Sequence, residues 1–238
     1  MTERTYDLYL ESGPKRRKTM VHVLGLLGCI ANGPTTEDAL ERTPEAIRRY
    51  LRFIAERGGR LDAEAPFRTL VVEHVTEGQW LGNGDPTIMF GRDEVVPTKA
   101  EIASCAERFG WIRADTVSMV GGLEDEQLLA KPKVGRPIAG IVEHLVEPTR
   151  FYLRNVLGPV EDLNEVAAQM RRGGITPTEA LAAMIEPTAQ RLISMTVEER
   201  SRRVPHGAAL WTARKMLRRL LEHEWEHHEE IARRLDVA

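Results

Sequence analysis

Polar and apolar residues alternate at the start of the chain. Tyr6, Leu8 and Leu10 fall on one side and Asp7 and Tyr9 on the other, the period of two that a half-buried strand shows, so a strand is predicted over 5–11. The Val- and Leu-rich stretch 19–27 reads as a second strand, and 29–31 as a short third before the turn at Asn32-Gly33-Pro34. The period then changes. Leu40, Ile47, Leu51 and Ile54 recur at helical spacing between a start at Thr35, with Asp38 in the capping-box position, and a stop at Gly58-Gly59. Pro44 inside this helix is expected to bend it. Residues 70–75 read as a strand returning to the sheet. The glycines and prolines of 78–97 read as an irregular connector with room for one more strand.

From residue 96 the pattern is helical. Thr98 and Glu101 form a capping box, and the helix they open runs to about 120 with Ile102, Cys105, Phe109, Ile112 and Val117 facing inward, until Gly121-Gly122 stops it. A second helix is predicted over 137–157. A third, opened by Thr176-Pro177-Thr178-Glu179, runs to about 195, and a fourth from 208–212 to about 235. Pro148 and Pro187 are expected to kink the second and third. The pattern thus predicts an α+β N-terminal domain at 1–60, a connector with one or two strands at 61–95, and an all-α four-helix bundle at 96–238.

Composition narrows the function classes. A chain of 238 residues, 42% hydrophobic and 29% charged, has the make-up of an ordinary globular protein. Its net charge of −3, with both signs interspersed, lacks the basic field of a dedicated nucleic-acid binder. No apolar run approaches the ~20 residues of a membrane helix, and residues 1–18 lack the apolar core of a signal peptide, so a cytoplasmic protein is expected. Cys29 and Cys105 read as buried thiols in a reducing compartment rather than a disulfide. The Lys15–Lys18 cluster and the Arg48, Arg49, Arg52 helix face suggest RNA contact only weakly; the ordinary role of such charges is solvation.

The chemistry concentrates on the last helix. Met216, Leu220, His223, His227 and Ile231 form its apolar stripe, which puts two imidazoles in the bundle interior. Residues four apart on a helix lie about 6 Å apart along it and about 40° round it, so both rings reach one divalent ion. On the second helix His144 sits among Ile138, Ile141, Leu145 and Tyr152 and can complete a three-nitrogen set with open positions for water or substrate. The segment 223–227 also fits the zinc-protease pattern H-E-x-x-H, with Glu224 as base; however, Arg233 stands where a metzincin has its third histidine, and too little chain follows to supply a ligand from a later helix. His228 reads as a boundary residue and His206 as exposed. His22 and His74 fall in strands, and none of the four is assigned to the site. Glu147, Glu224 and Glu226 read as solvated flank charges or as carboxylates that orient the imidazoles.

The segments 137–145 (PIAGIVEHL), 211–217 (WTARKML) and 223–231 (HEWEHHEEI) resemble the DinB/YfiT-like family of metal-binding four-helix proteins. That resemblance implies metal ligation by His144, His223 and His227. Some members of the superfamily transfer or isomerise groups with low-molecular-weight thiols such as bacillithiol, mycothiol or glutathione. The residues 6–11, 25–33, 36–40 and 45–47 resemble the HicB-like antitoxin domain, a partial ribonuclease H-like fold; this implies a protein-interaction module. The first resemblance implies a metal-dependent enzyme, zinc or nickel first, its open coordination positions taking a thiol or water that acts on a small electrophilic substrate. The competing expectation is a non-catalytic metal-stabilised scaffold or sensor, homodimeric or bound to a partner protein through the N-terminal part. The pattern of residues names neither the metal nor the substrate.

Overall fold

The computed structural model describes residues 4–13, 18–59 and 61–235. The chain divides into two compact units, Met1–Val95 with Pro205–Leu210, and Val96–Val204 with Trp211–Ala238.

The first unit is α/β with a mixed sheet. β1 (Arg4–Gly13), β2 (Lys18–His22) and β3 (Ile30–Gly33) form an antiparallel meander; α1 (Thr36–Glu56) follows, and β4 (Phe67–Val75) returns parallel to β1, giving the order β3-β2-β1-β4. The second strand stops at His22, short of the predicted 27, because residues 23–29 close on themselves through Val23 N–H to the Cys29 carbonyl at 3.1 Å and Leu26 N–H to the Val23 carbonyl at 2.8 Å. Tyr6, Leu8 and Leu10 are buried as the alternation predicts, as are Ile47, Tyr50, Leu51 and Ile54 of α1. Thr35 caps α1, its hydroxyl accepting from Asp38 N–H at 3.1 Å. Gly33 is required where β3 meets α1: a Cβ there would stand 2.3 Å from the Ala39 nitrogen.

Within residues 61–95 the predicted strand does return to the sheet. β4 pairs with β1 along its length, with one register shift between Leu8 and Tyr9. The irregular stretch after it holds a short 3₁₀ turn, Gly91–Glu94, and no further strand. Buried carboxylates hold it in place of a ladder. Glu11 accepts from the amides of Gly84 and Asp85; Asp85 accepts from those of Gln79, Trp80 and Thr87. Leu24, Leu81, Ile88 and Phe90 pack as a small core beneath. Lys15, Arg16 and Arg17 lie outside the described residues, while Lys18 bonds Asn83 Oδ1 at 3.0 Å. Arg48 donates to the Ala63 carbonyl at 3.0 Å and Arg52 to Glu64 at 3.1 Å, so these two arginines are engaged within the unit rather than offered to RNA.

The second unit is helical, with eight helices among the described residues where four were predicted: α2 (Lys99–Gly121), α3 (Asp125–Leu129), α4 (Ile138–Leu157), α5 (Glu161–Arg171), α6 (Pro177–Ala183), α7 (Ile185–Ile193), α8 (Val197–Ser201) and α9 (Ala213–Arg234). α2, α4, α9 and the pair α6–α7 pack on one another. The predicted third helix divides at Met184, three residues ahead of Pro187, which has no N–H to give the Ala183 carbonyl. The predicted start of the last helix is instead strand: β5 (Arg203–His206) and β6 (Ala209–Thr212) make a hairpin, and Thr212 caps α9 by accepting from Lys215 N–H at 3.2 Å. α4 runs on through Pro148 and ends at Gly158, whose φ of 77° suits glycine. Both cysteines are buried thiols that form no disulfide, and burial pushes the Cys105 thiol up to about 12. No helix among the described residues is long and apolar enough to cross a membrane.

Candidate metal centre

α4 and α9 bring the three predicted histidines together. One ring nitrogen from each of His144, His223 and His227 lies within 4.8 Å of the other two. His144 Nε2 and His223 Nε2 are 3.2 Å apart, and the three ring centroids are separated by 4.7–5.3 Å. Two nitrogens each about 2.0–2.1 Å from one tetrahedral ion stand about 3.3 Å from each other, so this spacing fits a shared metal. The Nδ1 of His223 is buried with no hydrogen-bond partner among the described residues.

The helix ends are tied to each other near the cluster. Arg234, in the last turn of α9, donates to the carbonyl of Arg136, just ahead of α4, and to the carboxylate of Glu230. Glu230 in turn meets His227 Nδ1 at 3.0 Å, which fixes that ring and leaves Nε2 to face its neighbours. The hydrogen bond from His227 holds the Glu230 carboxyl below its ordinary range against the opposing effect of burial, and Arg234 adds to the lowering. Glu230, rather than Glu147 or Glu224, is therefore the carboxylate that meets a ring of the three-histidine cluster. Its three-residue spacing from His227 was the available signal.

Electrostatics favour neutral rings at His144 and His223. Burial holds His223 well below the usual imidazole value, with the charges of His227 and Arg219 adding to the effect. Burial, then Arg136 and His227, push His144 down to about 4. A neutral imidazole presents the lone pair that a metal needs. Pro148, one turn after His144, cannot supply the N–H that would bond the His144 carbonyl, so the helix wall there is open on one rung.

The remaining predicted residues take other roles. Glu224 is buried and paired with the equally buried Arg113, whose Nε reaches Oε2 at 2.9 Å and whose Nη2 reaches Thr149 Oγ1 at 2.8 Å. It is not a solvated flank charge. Glu147 bonds Arg150 at 2.6 Å and Arg171 at 2.9 Å. His228 is buried, not a boundary residue: it bonds Asp115 at 2.8 Å and stacks on Trp225, with centroids 4.9 Å apart. His206 is exposed on β5; His22 lies buried on β2, and His74 meets Ser12 Oγ at 2.8 Å on β4.

A cavity of about 430 Å³ opens beside the cluster, with His144, His223 and Tyr152 in its wall. Tyr152 Oη accepts from Arg219 at 3.4 Å, so the phenol keeps its own hydrogen to donate elsewhere.

The family model of the DinB superfamily matches residues 108–231, from α2 to α9, a stretch that contains all three histidines. The chain belongs to the DinB superfamily. Proteins of this superfamily typically bind a metal ion, and the three-histidine group here could hold one. No curated protein and no solved structure matches the chain.

Proposed function

We propose that His144, His223 and His227 hold a divalent cation, zinc or nickel first, and that the helical unit is a metal-dependent enzyme joining a thiol to a small electrophile. The observation that carries this reading is an open cavity beside three imidazole nitrogens set at metal-sharing distances. An ion in that position supplies Lewis-acid activation of a thiol or a water molecule. The chain's own groups do the rest. Glu230 keeps His227 in one tautomer and one orientation. Tyr152 offers a hydrogen-bond donor at the cavity wall, to a substrate carbonyl or a departing group.

The test is elemental analysis of the purified full chain, followed by turnover with biological thiols and a chromogenic electrophile. One equivalent of metal is expected in wild type, and a loss of most of it in His227→Ala. Wild-type protein that takes up no transition metal even after reconstitution overturns the reading.

A second reading is favoured by a separate observation. Leu70, Val71 and Val72 are 55%, 43% and 45% exposed on β4, the terminal strand of the sheet. An apolar terminal strand suits an interaction module of the HicB-like kind, with the helical unit as its metal-stabilised scaffold. A dimer in light scattering that Leu70→Lys dissolves, together with absent thiol turnover in metal-loaded protein, is the result that would favour it.

A further inference from the structure

We propose that the cavity beside the histidines receives a small organic carboxylate, its charge held by Arg150 and Arg154 and its apolar body against Phe151, Pro159 and Val160. The proposal names the substrate class of the metal centre proposed above and rests on that reading.

Charge is the first argument. The donor set is three imidazoles with no carboxylate among them, and an imidazole ligates through its neutral form, so a divalent ion there would keep its full double charge. Anions are the ligands that compensate such a charge. The cavity rim has the same sign. Arg150 and Arg154, one turn apart on α4, both line it. The acidic side chain among the lining residues is Glu147, and its two oxygens are shared between Arg150 and Arg171. Two guanidinium groups thus stand on the rim against one carboxylate, and the balance is cationic.

Geometry is the second argument. Arg150 is held in a fixed plane: its Nε and Nη2 donate to Asn164 Oδ1 at 3.1 and 2.7 Å, and its Nη1 to Glu147 at 2.6 Å. Each terminal nitrogen retains a second N–H, and a carboxylate is the planar acceptor that such a fork fits. Arg154 is exposed and able to close over a bound anion. The facing wall is apolar, with Pro159 and Val160 at its surface and Leu163 of α5 buried behind them. An inorganic anion would have no use for that wall; a carboxylate on a hydrocarbon or aromatic body uses both sides.

The experiment is a calorimetric titration of the full-length protein, before and after loading with zinc, using benzoate, benzamide and inorganic phosphate as probes. Benzoate is expected to bind wild type about tenfold tighter than benzamide, its neutral isostere. Arg154→Gln should narrow that ratio about fivefold, which is the scale of one exposed ion pair, and leave benzamide unchanged. Equal binding of benzoate and benzamide, no benzoate binding at millimolar concentration, or an Arg154→Gln protein that matches wild type overturns the proposal. Phosphate binding tighter than benzoate also overturns it, since the apolar wall would then have no role. Metal content is measured on every sample. Protein that discriminates benzoate yet takes up no zinc sinks the metal reading and leaves the anion site standing; protein that takes up zinc but does not discriminate sinks only the anion site.

Discussion

Replacing Glu224 by alanine should strand a guanidinium where no water reaches it. Arg113 is 0% exposed and Glu224 1%. Nε donates to Oε2 at 2.9 Å, a second contact joins Nη2 to Oε1, and Thr149 Oγ1 stands 2.8 Å from Nη2. After the substitution the threonine hydroxyl and the face of Phe109, 4.7 Å from the guanidinium carbon, are what these contacts leave to Arg113. Breaking a buried ion pair from one side costs about 3–5 kcal/mol. A domain of this size loses roughly 2–4 °C of Tm per kcal/mol, so the expected fall is about 6–20 °C. Thermal and urea unfolding of metal-free protein, followed by far-ultraviolet circular dichroism, measures it. The double variant Arg113→Met/Glu224→Leu removes both charges and should regain most of the loss. Metal content should not change, because the hydrogen bonds of Glu224 go to Arg113 and Thr149 and to no histidine. A Glu224→Ala protein within about 0.5 kcal/mol of wild type, the range of an ordinary surface substitution, would refute the reasoning and return Glu224 to a solvated or catalytic role.

Glu230→Gln should weaken metal binding about 10–100-fold while leaving a folded protein, since it removes the carboxylate that orients His227 and keeps the ligands; competition with a chelator reads this, and an unchanged affinity denies Glu230 its orienting role. Glu199 predicts an acid limb in stability. Its pKa is lowered from the ordinary 4.5, chiefly by the hydrogen bond from Arg191, so the folded state releases this proton more readily than the unfolded chain. Its contribution is therefore complete above pH 4.5 and is lost as pH falls from there toward the lowered folded value. Urea midpoints of Glu199→Gln should fall less steeply than wild type in that acid range; parallel curves would count against the pair.

Local signals carried the parts of the fold whose cause is local. The capping box of Thr98 and Glu101 is present, with Glu101 N–H 3.2 Å from Thr98 Oγ1, and so is that of Thr176 and Glu179. The alternation at Tyr6, Leu8 and Leu10 buries those residues. What escaped depended on partners distant in sequence or on patterns too short to show a period. α5 reads EDLNEVAAQMR, and Leu163 and Ala167 are its buried residues; two apolar positions four apart do not distinguish a helix from a polar loop. β5 and β6 have four residues each, too few for a period of two to register against the helix beyond them. Residues 78–93 have no pattern to read, because Glu11 and Asp85 fold them by accepting backbone N–H groups, and nothing in the spacing of two carboxylates announces that role.

The same division explains which half of the site could be read. Ligands on one helix are a periodicity, and His223 and His227 sit at i and i+4 on an apolar stripe whose other members, Met216, Leu220 and Ile231, are buried. His144 was recoverable because it too interrupts an apolar run. Charged residues follow a different logic. A carboxylate placed beside an apolar stripe is solvated in most helices, and only a partner can reverse that; the partner of Glu224 is Arg113, 111 residues earlier in the chain. His228 was misplaced for the same reason, since its burial comes from Asp115 on α2 and from the ring of Trp225. The cavity is a still higher-order feature: it exists because α5 folds back along α4 and sets Asn164 against Arg150. The proposed ligands are thus marked by the period of two helices, whereas the cavity beside them is walled in part by a third helix that shows almost no period. Substitutions at Asn164 should therefore alter ligand preference while sparing metal content, and those at His223 or His227 should lower metal content.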